Sequence, residues 1–296
     1  MTANMKNRIV NVNGRITDEA EARISPLDRG YLYGDSLYEV VRTYSRKLLA
    51  LDEHLERLKA SAHLARMDLQ SRMPQFRSAI LDTVEAFKQR FPKDEVYIRF
   101  MVSRGRGDIL FSEKGIREWF PYVVVAETLP TFDESAVRKG IRIKIAKRIR
   151  NHPNALDPAM KSGNYLNSVL AFFEAESDGY DDAIMLNHEG FVTEGTTFNI
   201  WYVRDGIVVT PPLSVGILDG ITRRHTLRIA RDKGLTTRES LFMPEHLYQA
   251  QEVFLTSSVK DVFPIVAVDQ TAIHQGTPGP VTLELRQEFQ AWARSQ

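Results

Sequence analysis

The sequence contains no cysteine among its 296 residues. That excludes disulfide cross-links, a thiolate nucleophile and any metal held by cysteine sulfur. It is compatible with a reducing compartment, and the cytoplasm is the expected location. A surplus of either charge is also missing: 39 Lys and Arg against 38 Asp and Glu leave a net charge of +1. No broad field therefore draws the chain to nucleic acid or to an acidic membrane. A run of about 18 apolar residues is absent, so no membrane-spanning helix is expected. The first ten residues are polar and basic with no apolar run behind them, so no signal peptide is expected either. The seven histidines are scattered without ligand spacing, so no metal is expected. There is no Gly-x-Ser-x-Gly elbow, and Gly105-Arg106-Gly107 lacks the third glycine of a dinucleotide site. With 43% hydrophobic residues, the chain reads as a soluble globular protein with one large core or two ordinary ones.

Ile9, Val10 and Val12 before Asn13-Gly14 predict a hairpin that returns through Arg15-Ile16. A loop rich in Gly, Pro and Asp feeds a strand at 37–44, with Tyr38, Val40 and Arg42 on one face. Asp52 is the expected N-cap of a helix reaching 67, whose stripe is Leu51, Leu55, Leu58, Ala62 and Ala65; Arg57 lies beside that stripe. A helix after Pro74 and strands at 95–103 and 120–126 complete a first domain, 1–126. The Thr-, Pro-, Asp- and Ser-rich stretch 127–140 is the expected link, and 141–296 is a second, larger domain. At 138–150, Ile141, Ile143 and Ile145 alternate with Arg142 and Lys144, which predicts a strand with a solvated basic face. A meander follows, then a helix capped by Thr222 and ended at Gly234, and a last helix after Pro280.

Chemistry gathers at a few places. Lys161 precedes a helix whose stripe reads Leu166, Val169, Leu170 and Phe173, with the small Ser162 and Gly163 at its entrance. A lysine on that lip can lose solvation and attack a carbonyl as the free amine, forming a Schiff base. Glu194 interrupts an apolar strand run, and a buried carboxylate there calls for a cationic partner such as a protonated ring nitrogen; an edge-strand glutamate facing water is the bland alternative. Gly220-Ile221-Thr222 opens a helix whose unpaired N–H groups suit an anion, although simple capping explains the same residues. Arg57 can add a bidentate contact to that anion, though an arginine on a helix flank is usually a surface residue. A Schiff-base lysine, an acid for a ring nitrogen and a phosphate cradle are together the parts required by pyridoxal 5′-phosphate (PLP).

From Val12 onward the chain resembles the class IV aminotransferases, the PLP fold-type-IV group of branched-chain and D-amino acid aminotransferases and aminodeoxychorismate lyase. The resemblance rests on Asp28-Arg29-Gly30 with Tyr33-Gly34-Asp35, on the run from Leu51 through Arg57 to Leu58, and on Lys161-Ser162-Gly163-Asn164-Tyr165-Leu166-Asn167. Thr193-Glu194-Gly195 with Asn199, Gly220-Ile221-Thr222-Arg223 and Thr256-Ser257-Ser258 complete it. It implies two α+β domains with the cofactor between them, and a homodimer whose partner subunit helps close each site. Lys161 would bind the cofactor and carry the proton between Cα and C4′, while Glu194 would pair with the ring nitrogen. By the same resemblance Tyr165 lies near the ring hydroxyl, Leu218 packs on the ring, and Arg57, Ile221, Thr222 and Ser258 hold the phosphate. The substrate side would comprise Tyr33, Tyr38, Val40, Tyr97, Arg99 and Val259.

Tyr97-Ile98-Arg99 is similar to a branched-chain signature, which implies amino transfer from an L-branched-chain or hydrophobic donor to 2-oxoglutarate in two half-reactions. Val40, and Ser258-Val259-Lys260 in place of Thr-Ala-Ala, depart from that pattern. A D-amino acid aminotransferase is the alternative, with an (R)-amine transaminase or a lyase behind it. Arg104 and Arg106 are the residues that could stand in for a D-amino acid carboxylate trap.

Overall fold

The computed structural model describes residues 7–296; the start of the polar opening segment lies outside the described residues. Two compact units emerge. The first takes the described chain up to Pro130 together with Met160–Asn164, and the second takes Thr131–Ala159 and Tyr165–Gln296. The division at Pro130 falls inside the expected 127–140 link, but that stretch is more than a connection. Strand Tyr122–Thr128 enters it, and helix Glu134–Lys139 places Val137 in the second unit's core. Nor does 141–296 belong wholly to the second unit, because the lysine segment packs with the first.

In the first unit six strands form an antiparallel sheet in the order Arg15–Thr17, Arg8–Val12, Tyr122–Thr128, Val96–Ser103, Ser36–Tyr44, Lys47–Leu48. Asn13 and Gly14 both take positive φ, as the expected hairpin turn demands. Helices Leu51–Leu64 and Met73–Arg90 cover one face, burying Leu37, Val41, Leu58, Phe76, Ile80, Ile98, Phe100 and Val124. Alternation then sends Tyr38, Val40 and Arg42 to the opposite face, where register pairs them with Met101, Arg99 and Tyr97. Asp52 is not the N-cap: Ala50, in the left-handed region, precedes the helix, so Asp52 lies in its first turn. Beyond Arg104 a separate two-stranded ribbon forms, Gly105–Gly107 pairing with Ile116–Trp119.

The second unit is built on nine strands. Val192–Gly195, Asp182–Leu186, Ile141–Ile145, Asp261–Val268, Glu252–Ser257 and Asn199–Arg204 pair in that order, and Val192–Gly195 pairs again with Asn199–Arg204. These six therefore close into a ring, and the closing pair is Glu194 with Asn199. The ring's core holds Ile143, Ile184, Val192, Ile200, Leu255 and Phe263.

Helix Leu166–Ser177 does not bury the stripe its spacing suggests. Leu166, Val169 and Phe173 are exposed, whereas Ser168, Ala171 and Ala175 face inward. Both faces of this helix are apolar, and the smaller side chains permit the closer approach to Tyr180, Ala183 and Met185. Among the described residues no helix is long and apolar enough to cross a membrane.

Candidate active site

Lys161 is fixed by its backbone. Its carbonyl accepts from Tyr38 N at 3.1 Å, its amide donates to Ser61 Oγ at 3.1 Å, and Gly163 N donates to Ser36 O at 2.7 Å. The segment thus extends the edge of strand Ser36–Tyr44, with an isolated bridge between Leu37 and Ser162. Gly163 is needed for this contact and not to open space before the lysine: a Cβ there would lie 2.1 Å from Ser36 Oγ. The half-buried Lys161 side chain places Nζ 3.3 Å from Tyr38 Oη and 4.4 Å from the ring centroid. The Arg99 guanidinium stands 3.9 Å over the same ring.

Arg57 is buried, not a surface residue. Its Nε and Nη2 donate to the two Glu39 oxygens at 2.9 and 2.7 Å, and His54 Nδ1 lies 2.7 Å from Glu39 Oε2. Burial alone would raise the Glu39 pKa, but Arg57 and His54 outweigh it and bring it from 4.5 down to about 2. Burial pushes the His54 pKa below its ordinary value against the opposing pull of Glu39, so the ring is neutral and Nδ1–H donates. Neither Glu39 nor His54 stood out in the sequence. The signal was present, because alternation puts Glu39 between Leu37 and Val41 on the covered face, and His54 and Arg57 are three apart on one helix.

This network predicts acid sensitivity. Both folded-state pKa values are depressed, so both groups stabilise the fold above their unfolded values and lose that contribution as pH falls. The His54 part fades below 6.5 and the Glu39 part between 4.5 and about 2. For Glu39 that drop corresponds to about 3 kcal/mol at neutral pH. Denaturant unfolding of wild type and Glu39→Gln should differ most near pH ~7 and converge toward pH ~2 to 3. A gap that stays constant with pH would contradict the assignment.

In the second unit Glu194 is only 5% exposed, which rules out a water-facing edge glutamate. Oε1 accepts from Arg150 Nε at 3.0 Å and pairs with Nη2 at 2.9 Å, while Oε2 accepts from Leu218 N at 3.1 Å and Asn199 Nδ2 at 3.4 Å. The chain thus supplies a cation for Glu194 itself. Arg150 closes the stretch read as a solvated basic face, yet its side chain is only 14% exposed. Asn199 also donates to Leu218 O at 3.0 Å, and a Cβ on Gly220 would come 2.0 Å from Asn199 Oδ1. Glycine at 220 is a packing requirement that draws the next helix toward Glu194.

That helix is Ile221–Asp232, and its N-cap is Gly220, not Thr222. Gly220 offers no side-chain cap to the first amides; Ile221 and Thr222 are buried in the first turn. Ser258 and Val259 form the turn between Glu252–Ser257 and Asp261–Val268, two and three residues beyond Thr256, which pairs with Asn199. Glu194, Leu218, the helix start and this turn are therefore neighbours by bond and register. Tyr165 is the N-cap residue of Leu166–Ser177 and half-buried. Tyr33 ends the short helix Arg29–Tyr33, its ring 5.2 Å from Phe111. Arg104 is occupied: it donates to Asp35 at 2.9 Å, to Glu113 at 3.0 Å and to the carbonyls of Ala65 and Arg66.

The profile of the amino-transferase class IV family matches residues 36–268, and the chain belongs to that family. A branched-chain-amino-acid aminotransferase of Pseudomonas aeruginosa is 31% identical over 94% of this chain and 90% of its own length. A D-alanine aminotransferase of Bacillus licheniformis is 31% identical over 94% of both chains. Among solved structures, the Thermoproteus uzoniensis branched-chain aminotransferase with norvaline superposes with a TM-score of 0.86, at 32% identity over 97% of this chain and 95% of that one. The branched-chain amino acid aminotransferase of Thermobaculum terrenum in its PLP form gives 0.85, at 28% identity over 98% and 95%.

The protein is an aminotransferase of α+β fold type IV, and its cofactor is PLP. The residues fit that group: a primary amine on a clamped backbone, a buried acid beside an arginine, and a helix start opened by glycine.

Proposed function

We propose that the enzyme moves an amino group from an L-branched-chain or otherwise hydrophobic amino acid to 2-oxoglutarate, in two half-reactions. Bound PLP supplies an electron-withdrawing ring that acidifies the substrate Cα–H. Lys161 would be the nucleophile that tethers the cofactor and, once released from it, the base whose Nζ takes the substrate Cα proton and hands it on. Glu194, oriented by Arg150, Asn199 and Leu218 N, would pair with the ring nitrogen. By the resemblance Thr222, Ile221, Ser258 and Arg57 would hold the phosphate, Tyr165 would lie near the ring hydroxyl and Leu218 would pack on the ring. The substrate side comprises Tyr33, Tyr38, Val40, Tyr97, Arg99 and Val259.

The observation that carries this reading is the position of Arg99 on the same sheet face as Tyr38 and the Lys161 amine, where it suits the second carboxylate of a dicarboxylic acceptor. A D-amino acid preference draws support from the B. licheniformis relative and from Val40. Against it, Arg104 is engaged by Asp35 and Glu113, and Arg106 pairs with Glu118 at the surface. The loop that joins Gly105–Gly107 to Ile116–Trp119 instead exposes Ile109, Leu110 and Phe111. We further propose that this loop and the exposed Leu166, Val169 and Phe173 are covered by a second copy in a cytoplasmic homodimer.

The test is a donor panel under single-turnover conditions, following loss of the cofactor's yellow absorption. L-Leucine and L-valine should discharge it at least about tenfold faster than D-alanine, the discrimination expected of a pocket worth about 1–3 kcal/mol per apolar contact. The reverse order transfers the assignment to D-amino acids. Pyruvate release with no oxo-acid acceptor present would point to a lyase.

A further inference from the structure

The resemblance put Tyr38 on the substrate side, and the structure adds contacts with the lysine. Tyr38 is only 3% exposed. Its amide donates to the Lys161 carbonyl at 3.1 Å, and its hydroxyl lies 3.3 Å from Lys161 Nζ. Its ring lies 4.4 Å from that amine and 3.9 Å from the Arg99 guanidinium. Backbone and side chain of one residue thus grip both ends of the lysine. A tyrosine used as a pocket wall needs only its ring; here the hydroxyl adds an acceptor aimed at the amine.

We propose that Tyr38 is a positioning residue for the Lys161 amine, its hydroxyl accepting an Nζ hydrogen and so holding the amine in place whenever it is not bound to the cofactor. The inference rests on the reading that Lys161 carries the Cα proton. In that step Nζ would accept the substrate Cα proton on its lone pair and later release it, while the Tyr38 hydroxyl gains and loses none. A four-carbon stem without this anchor samples several rotamers, and each turnover must find the productive one again.

Tyr38→Phe keeps the ring, the backbone bond and the contact with Arg99, and removes only the hydroxyl. In steady-state assays kcat should fall about tenfold, the usual worth of one such hydrogen bond, with KM for donor and acceptor changed by less than about twofold. An increased isotope effect with Cα-deuterated donor should accompany it. The second readout uses cofactor-free full-length protein. Lys161 is reductively methylated with formaldehyde and cyanoborohydride, and its rate is compared by peptide mapping with that of exposed lysines in the same digest. Release of the amine should speed methylation of Lys161 severalfold in Tyr38→Phe and leave the other lysines unchanged.

A raised KM at constant kcat, with Lys161 methylated at the wild-type rate, would leave Tyr38 a substrate-side wall with no hold on the amine and overturn the proposal. If wild-type protein neither binds PLP nor transaminates, the functional reading fails instead. The methylation comparison still decides whether Tyr38 restrains the amine. Should Tyr38→Phe unfold, Ser61→Ala with an intact hydroxyl serves as the comparison: it loosens the lysine backbone and should leave Lys161 methylation unchanged. Faster methylation there would locate the restraint in the backbone and remove Tyr38 from the role.

Discussion

Lys161→Ala should abolish transamination, with kcat/KM falling on the order of 10⁴-fold or more, because it removes the covalent tether and the proton carrier at once. The loss should be chemical and not structural. The bonds that fix this segment use only the main chain of Lys161, whose carbonyl accepts from Tyr38 N and whose amide donates to Ser61 Oγ, and alanine keeps both. Circular dichroism and the unfolding midpoint should therefore stay near wild type while single-turnover activity disappears. Borohydride reduction of the wild-type holoenzyme, followed by peptide mapping, should label Lys161 and no other residue. A label elsewhere, or appreciable turnover by the alanine variant, would remove the foundation of the mechanism.

The second large effect is expected at Glu194, where function and stability are coupled. Glu194→Gln keeps the shape of the side chain but leaves Arg150 facing a neutral partner, and side chains at 7% and 14% exposure see little water. Breaking one half of a buried ion pair typically costs about 3–5 kcal/mol. Activity should fall by about 10²–10³-fold as well, the magnitude seen when one electrostatic stabiliser of a developing charge is lost. The double variant Glu194→Gln/Arg150→Met separates the two effects. Removing the orphaned guanidinium should recover much of the stability, whereas activity should stay low because the acid is still missing. If activity returns together with stability, Glu194 is a structural residue and the role at the ring nitrogen is wrong.

Much of the candidate site was legible because each part has its own local signature. A lysine before a helix, an acid in an apolar strand and a Gly-Ile-Thr helix start can each be recognised within a few neighbours. The fold's local elements followed for the same reason: strand alternation assigned Tyr38 and Val40 to the opposite face from Leu37 and Val41, and Asn13-Gly14 marked its hairpin. The errors lie where two local answers were equally good. Helix Leu166–Ser177 is apolar on more than one face, so spacing could not choose between Val169 and Ala171; close packing chose the smaller residue. Asp52 and Thr222 have the chemistry of caps, but each is the second residue of its helix, two places beyond the N-cap.

By itself the sequence determined the reaction class: which side chains carry amine, acid and anion-binding groups, in an order shared with class IV aminotransferases. Only the tertiary structure decided what those side chains lean on. Arg150 meets Glu194 across 44 positions because a ring of strands closes at Glu194 and Asn199, and Arg57 meets Glu39 because a helix lies over one face of a sheet. Burial at such crossings makes an unpaired charge costly, and a pairing set by that cost depends on which residues the fold brings together, a quantity that no stretch of neighbouring residues contains.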